Sequence, residues 1–189
     1  MYERELGIIA RRYFSKDEIR IINNISSAPN FAIFLDFDKS LGGIGLFNVN
    51  KGRSGRYHVE DRDILRPLQY IYMYLENKQD LLWYTRNIVQ MSGLHMESII
   101  KRFTGRNREP LGKSLYNKKI IEAFEPILRS ELDLIAKMFN ASKHDVDQYK
   151  DQHLFSLNDA FLCYFITRKL AIQLYPHIKL YTSPEVWNT

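Results

Sequence analysis

The chain has 189 residues, of which 45% are hydrophobic, 13% aromatic and 26% charged, with a formal net charge of +5. This aromatic content excludes a disordered chain, and the single cysteine, Cys163, excludes a disulfide scaffold. The best apolar run, residues 31–35, is far shorter than the roughly 20 residues of a membrane span, and the first residues lack a signal-peptide pattern. We therefore expect a cytoplasmic protein that forms one domain over residues 1–189 and does not enter a membrane.

The first segment, residues 3–27, is predicted to be helical. Ser15 and Glu18 have the spacing of a capping box, in which each side chain bonds the backbone amide of the other residue. Ile19, Ile22 and Ile25 then recur at every third position, which places them on one helix face.

A β-hairpin is predicted near residues 31–49. Two short runs rich in aromatic or branched residues, 31–37 and 44–49, flank a segment that contains two glycines. Asp36 and Asp38 are assigned to the alternation of the first strand and the turn after it. Residues 1–60 would then form an N-terminal extension of one helix and a hairpin.

From residue 61 onward, apolar residues recur at helical spacing. The predicted helices cover about 64–75, 79–103, 120–139 and 156–175, with Gly105 ending the second and Pro126 splitting or kinking the third. The sequence thus predicts an all-α protein, a four- to five-helix bundle with a small β-hairpin insertion near residues 31–49 and its core in residues 61–177.

One short segment near the end of the penultimate predicted helix resembles a known signature. Asn140, Lys143 and His144 follow the Asn-x-x-Lys-His pattern of the HEPN superfamily, a group of small helical bundles. Segments 92–97, 110–112 and 155–160 occur in the order that this family shows, so the resemblance covers roughly residues 61–177.

The resemblance implies a function only where residues match. HEPN ribonucleases use an arginine, a neighbouring polar residue and a histidine four to six residues further on, usually across a homodimer and without a metal. His144 matches the histidine and Asn140 the polar residue, but the upstream positions 136–139 hold only Lys137 as a cation, a point charge without the planar fork of arginine.

The resemblance therefore implies a non-catalytic binding or dimerisation module that forms a homodimer, needs no metal or cofactor, and has RNA or a nucleotide-bearing partner as its candidate ligand. Should the chain cleave RNA, His144 would be the acid/base, Asn140 its polar neighbour, and Lys137 or Lys143 the stabiliser of the phosphate.

A basic stretch supplies the second candidate surface. Seven cations fall within 19 residues of the connector between two predicted helices, and such a cluster is suited to contact with a phosphate backbone. These residues are Lys101, Arg102, Arg106, Arg108, Lys113, Lys118 and Lys119. A solvated surface loop explains the same pattern.

Two other classes of function stay open. A metal-dependent HD-type phosphohydrolase would use His95, His144, Asp145 and Asp159, because imidazole and carboxylate groups bind hydrolytic metal ions. The short spacing from Asp145 to Asp159 counts against this, and His95 is interpreted as a half-buried core histidine. The third class is an interaction protein whose basic stretch binds no specific ligand.

Overall fold

A computed structural model of the chain describes residues 2–42, 59–76, 81–144 and 154–181. Within these ranges the secondary structure is entirely helical, which confirms the all-α prediction. The α-helices are α1 Glu3–Tyr13, α2 Lys16–Ser27, α3 Phe31–Ser40, α4 Arg62–Glu76, α5 Thr85–Thr104, α6 Leu111–Ser114, α7 Lys118–Ala123, α8 Pro126–His144 and α9 Leu157–Leu174. Short 3-10 helices at Val59–Asp61, Leu81–Tyr84 and Tyr175–His177 flank α4, α5 and α9.

Local signals in the sequence set several helix ends. Ser15 forms the predicted capping box with Glu18 at the start of α2, so the first segment is two helices and not one. Ser156 and Asp159 form a second capping box at the start of α9. Gly105 ends α5 with a φ of 74°, in the left-handed region that glycine adopts without strain.

The predicted hairpin is wrong in its first half, because residues 31–40 form helix α3. The Asn30 side chain caps this helix by accepting a hydrogen bond from the amide of Ile33, 3.2 Å away. Phe34, Phe37 and Asp38 are buried at helical spacing. The second predicted strand, 44–49, lies outside the described residues.

Helix α9 is the centre of the fold. Thirteen of its 18 residues are buried, so it is apolar around nearly its whole circumference. Helices α1, α2, α5 and α8 pack directly against it, while α4 lies on α5. One cluster of buried apolar residues runs from α1 to the 3-10 helix after α9. As a result, α4 and α8 each keep an exposed face on the side away from α5 and α9.

Candidate functional site

The predicted residues at the end of α8 lie on two different sides of the helix. Asn140 and His144 are exposed and share one face with Lys137, at spacings of three and four residues. Lys143 is half-buried on another side, where its Nζ lies 3.7 Å from the centre of the Phe139 ring. The structure therefore brings Lys137, Asn140 and His144 together and separates Lys143 from them.

Lys137, the lysine on this face of α8, is paired with an acidic residue of the same helix. Lys137 Nζ lies 2.7 Å from a carboxylate oxygen of Asp133, one helical turn earlier. The hydrogen bond and the charge of Asp133 raise the pKa of Lys137, and Tyr116 and Tyr2 are near enough to contribute. Lys137 is fully exposed to water, so the pair adds little to stability.

The short helix α6 connects the two predicted surfaces, because it packs on α8. A methyl group added at Gly112 would lie 3.8 Å from the Nδ2 atom of Asn140 and 4.0 Å from the Cβ atom of Ala136. The next residue, Lys113, is exposed, and Tyr116 exposes 75% of its surface. We call Lys113, Tyr116, Lys137, Asn140 and His144 together the α6–α8 face.

Several cations of the basic stretch are held by partners within the protein. Arg102 is the clearest case, since its Nη1 and Nη2 each lie 2.6 Å from a carboxylate, those of Asp61 and Asp63. It also donates to the backbone oxygens of Glu60 and Lys179, at 2.6 and 3.0 Å. Because its donors are directed to these groups, Arg102 fixes the start of α4 to the end of α5.

The other cations of the stretch divide into two groups. Lys101 pairs with Glu97 at 3.2 Å, Arg106 with Glu109 at 2.7 Å and Lys118 with Glu122 at 3.6 Å. Lys119 donates to the backbone oxygen of Thr104 at 3.4 Å. Among the described residues, Arg108 and Lys113 have no ion-pair partner, and both are exposed. These two are the cations best placed to meet an external anion.

His95 is a core residue and is not positioned as a metal ligand. Its Nδ1 donates to the backbone oxygen of Ile64 at 2.7 Å, since a carbonyl can only accept. That tautomer leaves Nε2 to accept from the Tyr175 hydroxyl at 3.2 Å. Burial lowers the pKa of His95 to about 3, so the ring is neutral at any ordinary pH.

The other members of the alternative metal set do not join His95. Asp159 caps α9 through Ser156, and His144 lies on the exposed face of α8. Asp145 lies outside the described residues. Over the ranges that the structure covers, no group of three or more histidine, cysteine, aspartate or glutamate side chains is placed to hold a metal ion.

Cys163 has the inert character of a core thiol. It lies in the buried part of α9 and is fully inaccessible to water. Burial raises its pKa to about 12, so the thiolate is not formed near neutral pH.

The sequence did not reveal a charged cluster in the core. Asp38 on α3 accepts hydrogen bonds from Tyr72, from Tyr164 at 2.9 Å and from the Nε of Arg168 at 2.8 Å. All four side chains are completely buried. The sequence did contain one signal of this pair. Asp38 and Arg168 each stand in a strongly apolar run, 31–38 and 160–171, and charged side chains are rarely buried unless they are paired.

Comparison of the chain with protein-family models, with curated proteins and with solved structures finds no match. Helices in the described ranges are all too short or too polar to cross a lipid bilayer.

Proposed function

We propose that this chain is a HEPN-like helical binding module that contacts RNA through the α6–α8 face and does not cleave it. The observation that carries the proposal is the packing of α6 on α8, in which Gly112, the residue before the exposed Lys113, lies against Asn140. This arrangement joins residues from the two segments that the sequence singles out.

The α6–α8 face has the groups that single-stranded RNA contacts require. The ammonium group of Lys113 has no internal partner among the described residues and is available to a phosphate. The exposed ring of Tyr116 offers a surface for a base, and the Asn140 amide can donate to and accept from polar groups. Such contacts give salt-sensitive binding with little sequence preference.

The same geometry favours binding over cleavage. Stabilising the transition state of RNA cleavage needs a cation that faces the phosphate with its charge available. Here Lys137 is paired with Asp133 at 2.7 Å, and Lys143 lies over the ring of Phe139. His144 is left as the one titratable acid/base candidate on this face.

The resemblance to HEPN proteins also leads us to propose a homodimer. Light scattering on the purified chain, which gives the mass directly, should return twice the mass of one chain. A mass of one chain at all protein concentrations would contradict the homodimer and leave the proposal of RNA binding unchanged.

The RNA proposal is tested with a fluorescently labelled single-stranded RNA and the full chain, by anisotropy over a range of salt concentrations. We expect Lys113→Gln to weaken binding and to reduce the slope of log K against log salt by about 0.7, the value for one phosphate that the protein no longer neutralises. Lys16→Gln, at an exposed lysine at the start of α2, is the matched control and should change neither quantity.

The outcomes are separable. Equal binding by Lys113→Gln and the control would show that the α6–α8 face is not the contact surface. Cleavage of the RNA in the presence of a chelator would indicate a ribonuclease, and cleavage that a chelator abolishes would indicate the metal-dependent alternative. Absence of both binding and cleavage would refute the RNA proposal.

A further inference from the structure

A second surface with binding chemistry lies between α4 and α5, on the side of α5 away from the core. The groove there has a volume of about 970 Å³, at the upper end of the range for small-molecule sites. Pro67, Met91 and Leu94 give it an apolar floor, and Ser98 and Asn107 add hydrogen-bonding groups. We call this surface the α4–α5 groove.

An aromatic ring and a guanidinium form a cation–π pair at this groove. Arg66 and Tyr70 both line it, one helical turn apart, and the Arg66 guanidinium carbon lies 5.2 Å from the centre of the Tyr70 ring. Arg66 also donates to the Oε1 atom of Gln69 at 3.2 Å, which helps to hold its plane in place. Tyr70 remains 36% exposed, so part of the ring is accessible from solution. Arginine and tyrosine in this arrangement are the groups on which nucleic acid bases stack.

The charge of the groove favours an anionic occupant. Its lining holds two acidic residues, Glu60 and Asp63, and Asp63 is bound to Arg102 at 2.6 Å, so its charge is compensated within the protein. Arg62 is exposed at the same end and has no ion pair among the described residues. Because the lining has four cationic residues and two acidic ones, a phosphate group at this end would meet a net positive charge.

One segment of the chain, residues 107–113, links the α4–α5 groove to the surface proposed above. Asn107 lines the groove, and the connector that follows it carries the exposed cation Arg108 before it reaches Lys113 of the α6–α8 face. A chain of phosphates could therefore follow residues 107–113 from one surface to the other.

We propose that the α4–α5 groove holds an unpaired base of single-stranded RNA, stacked on Tyr70 and Arg66, with its phosphate near Arg62. This inference rests on the proposed RNA-binding function and adds to it a base-binding subsite. The groove then contributes affinity through the base, and the α6–α8 face contributes through the backbone.

The test compares two ligands that differ only in their bases: a labelled twelve-nucleotide oligoadenylate and an abasic oligomer with the same ribose-phosphate backbone. We expect Tyr70→Ala to weaken oligoadenylate binding about 5- to 160-fold, the usual range for removal of one stacking ring. Its affinity for the abasic oligomer should stay within about twofold of the wild-type value. Tyr70→Phe keeps the ring and should bind as the wild type does.

Tyr181→Ala is the matched control. Tyr181 is 46% exposed, has the Nζ of Lys179 4.4 Å from its ring centre, and does not line the groove. Its replacement should leave both ligands within about twofold of the wild type, as expected for a surface residue outside the site. Thermal melting of each variant confirms that the fold is intact.

Each outcome separates this inference from the proposed function. If the wild type binds oligoadenylate but Tyr70→Ala weakens both ligands equally or neither, the base-binding subsite is wrong while RNA binding stands. Polyglutamate with the same number of charges serves as a competitor without bases. If the same concentration of it displaces oligoadenylate from the wild type and from Tyr70→Ala, the groove is an electrostatic surface only and the inference fails. If Tyr70→Ala has the expected effect but Lys113→Gln has none, the groove is the RNA site and the α6–α8 face is not. If the wild type binds neither the oligoadenylate nor the abasic oligomer, both proposals are wrong.

Discussion

The buried ion pair between Asp38 and Arg168 offers the sharpest test of the fold. Both side chains have no exposure to water, and the Asp38 carboxylate is the acceptor that joins α3 to α4 and α9. Burial alone would lower the pKa of Arg168, but the charge of Asp38 and nearby tyrosines raise it instead. The guanidinium is therefore charged in the folded protein and depends on Asp38 for its compensation.

The cost of removing Asp38 follows from what remains. Asp38→Ala leaves a charged Arg168 in an apolar core and takes the acceptor from the hydroxyl groups of Tyr72 and Tyr164. Breaking a buried pair in this way destabilises by about 3–5 kcal/mol. In a chain of this size about 1 kcal/mol moves the melting temperature by roughly 2–4 °C, so we expect a decrease of about 6–20 °C.

A double variant separates the charge from the volume. Asp38→Leu with Arg168→Met removes both charges and restores apolar bulk, while the hydroxyl groups of Tyr72 and Tyr164, 3.3 Å apart, still bond each other. We expect most of the stability to return, because replacing a whole buried pair is often neutral or favourable.

The measurements are thermal unfolding for the melting temperature and urea unfolding for the free energy, both followed by circular dichroism at 222 nm. Asp36→Ala is the control, since Asp36 is exposed on the same helix and its replacement should cost less than about 0.5 kcal/mol. Two results would refute the role given to this pair. One is a loss of unfolding free energy below about 1 kcal/mol for Asp38→Ala, and the other is a loss in the double variant that equals the sum of the losses in Asp38→Leu and Arg168→Met.

Three further predictions concern other buried sites. Folding lowers the pKa of His95 from 6.5 to about 3, so its contribution to stability is complete above pH 6.5 and declines as the pH falls toward 3, by about 2 kcal/mol at pH 5. Urea unfolding should show this pH dependence of the unfolding free energy in the wild type and not in His95→Gln, and an equal dependence in both proteins would contradict the prediction. Gly93→Ala should destabilise the protein by about 1–3 kcal/mol, because its methyl group would lie 2.3 Å from Cγ of Phe139. Gly7→Ala, which meets no close neighbour in α1, should stabilise it by up to about 1 kcal/mol. If the melting temperature of Gly93→Ala rises as that of Gly7→Ala does, the close contact with Phe139 is not there. Cys163 should not react with a disulfide reagent at pH 8 until denaturant is added, given its burial and a pKa of about 12, and rapid modification of the native protein would be inconsistent with this burial.

Helix ends were predictable where the signal is local. Ser15, Ser156 and Gly105 act within four residues of their own position, so their hydrogen bonds and backbone angles are encoded in the adjacent sequence. Pro126 likewise begins α8 as its first residue, which confirms the predicted break after α7.

Helix α3 shows why the hairpin prediction failed. A run with three phenylalanines between residues 31 and 37 suits a strand by propensity, and propensity alone cannot exclude a helix. The helix is stabilised from outside the segment, because Phe34 packs against Tyr164 and Phe165 of α9 with ring centres 5.1 and 5.3 Å apart. These partners lie about 130 residues away in the sequence.

The basic stretch gives the same lesson for function. The sequence alone determined that the protein is helical, where several helices begin and end, and which segments concentrate cations. Tertiary structure decided which cations are available: Arg102 meets Asp61, 41 residues earlier, while Lys113 is exposed and has no ion-pair partner among the described residues. It also placed Arg66 and Tyr70 on a groove that only the packing of α4 on α5 creates. Caps and periodicity act over one or two helical turns, whereas burial and charge pairing depend on residues that the fold brings together.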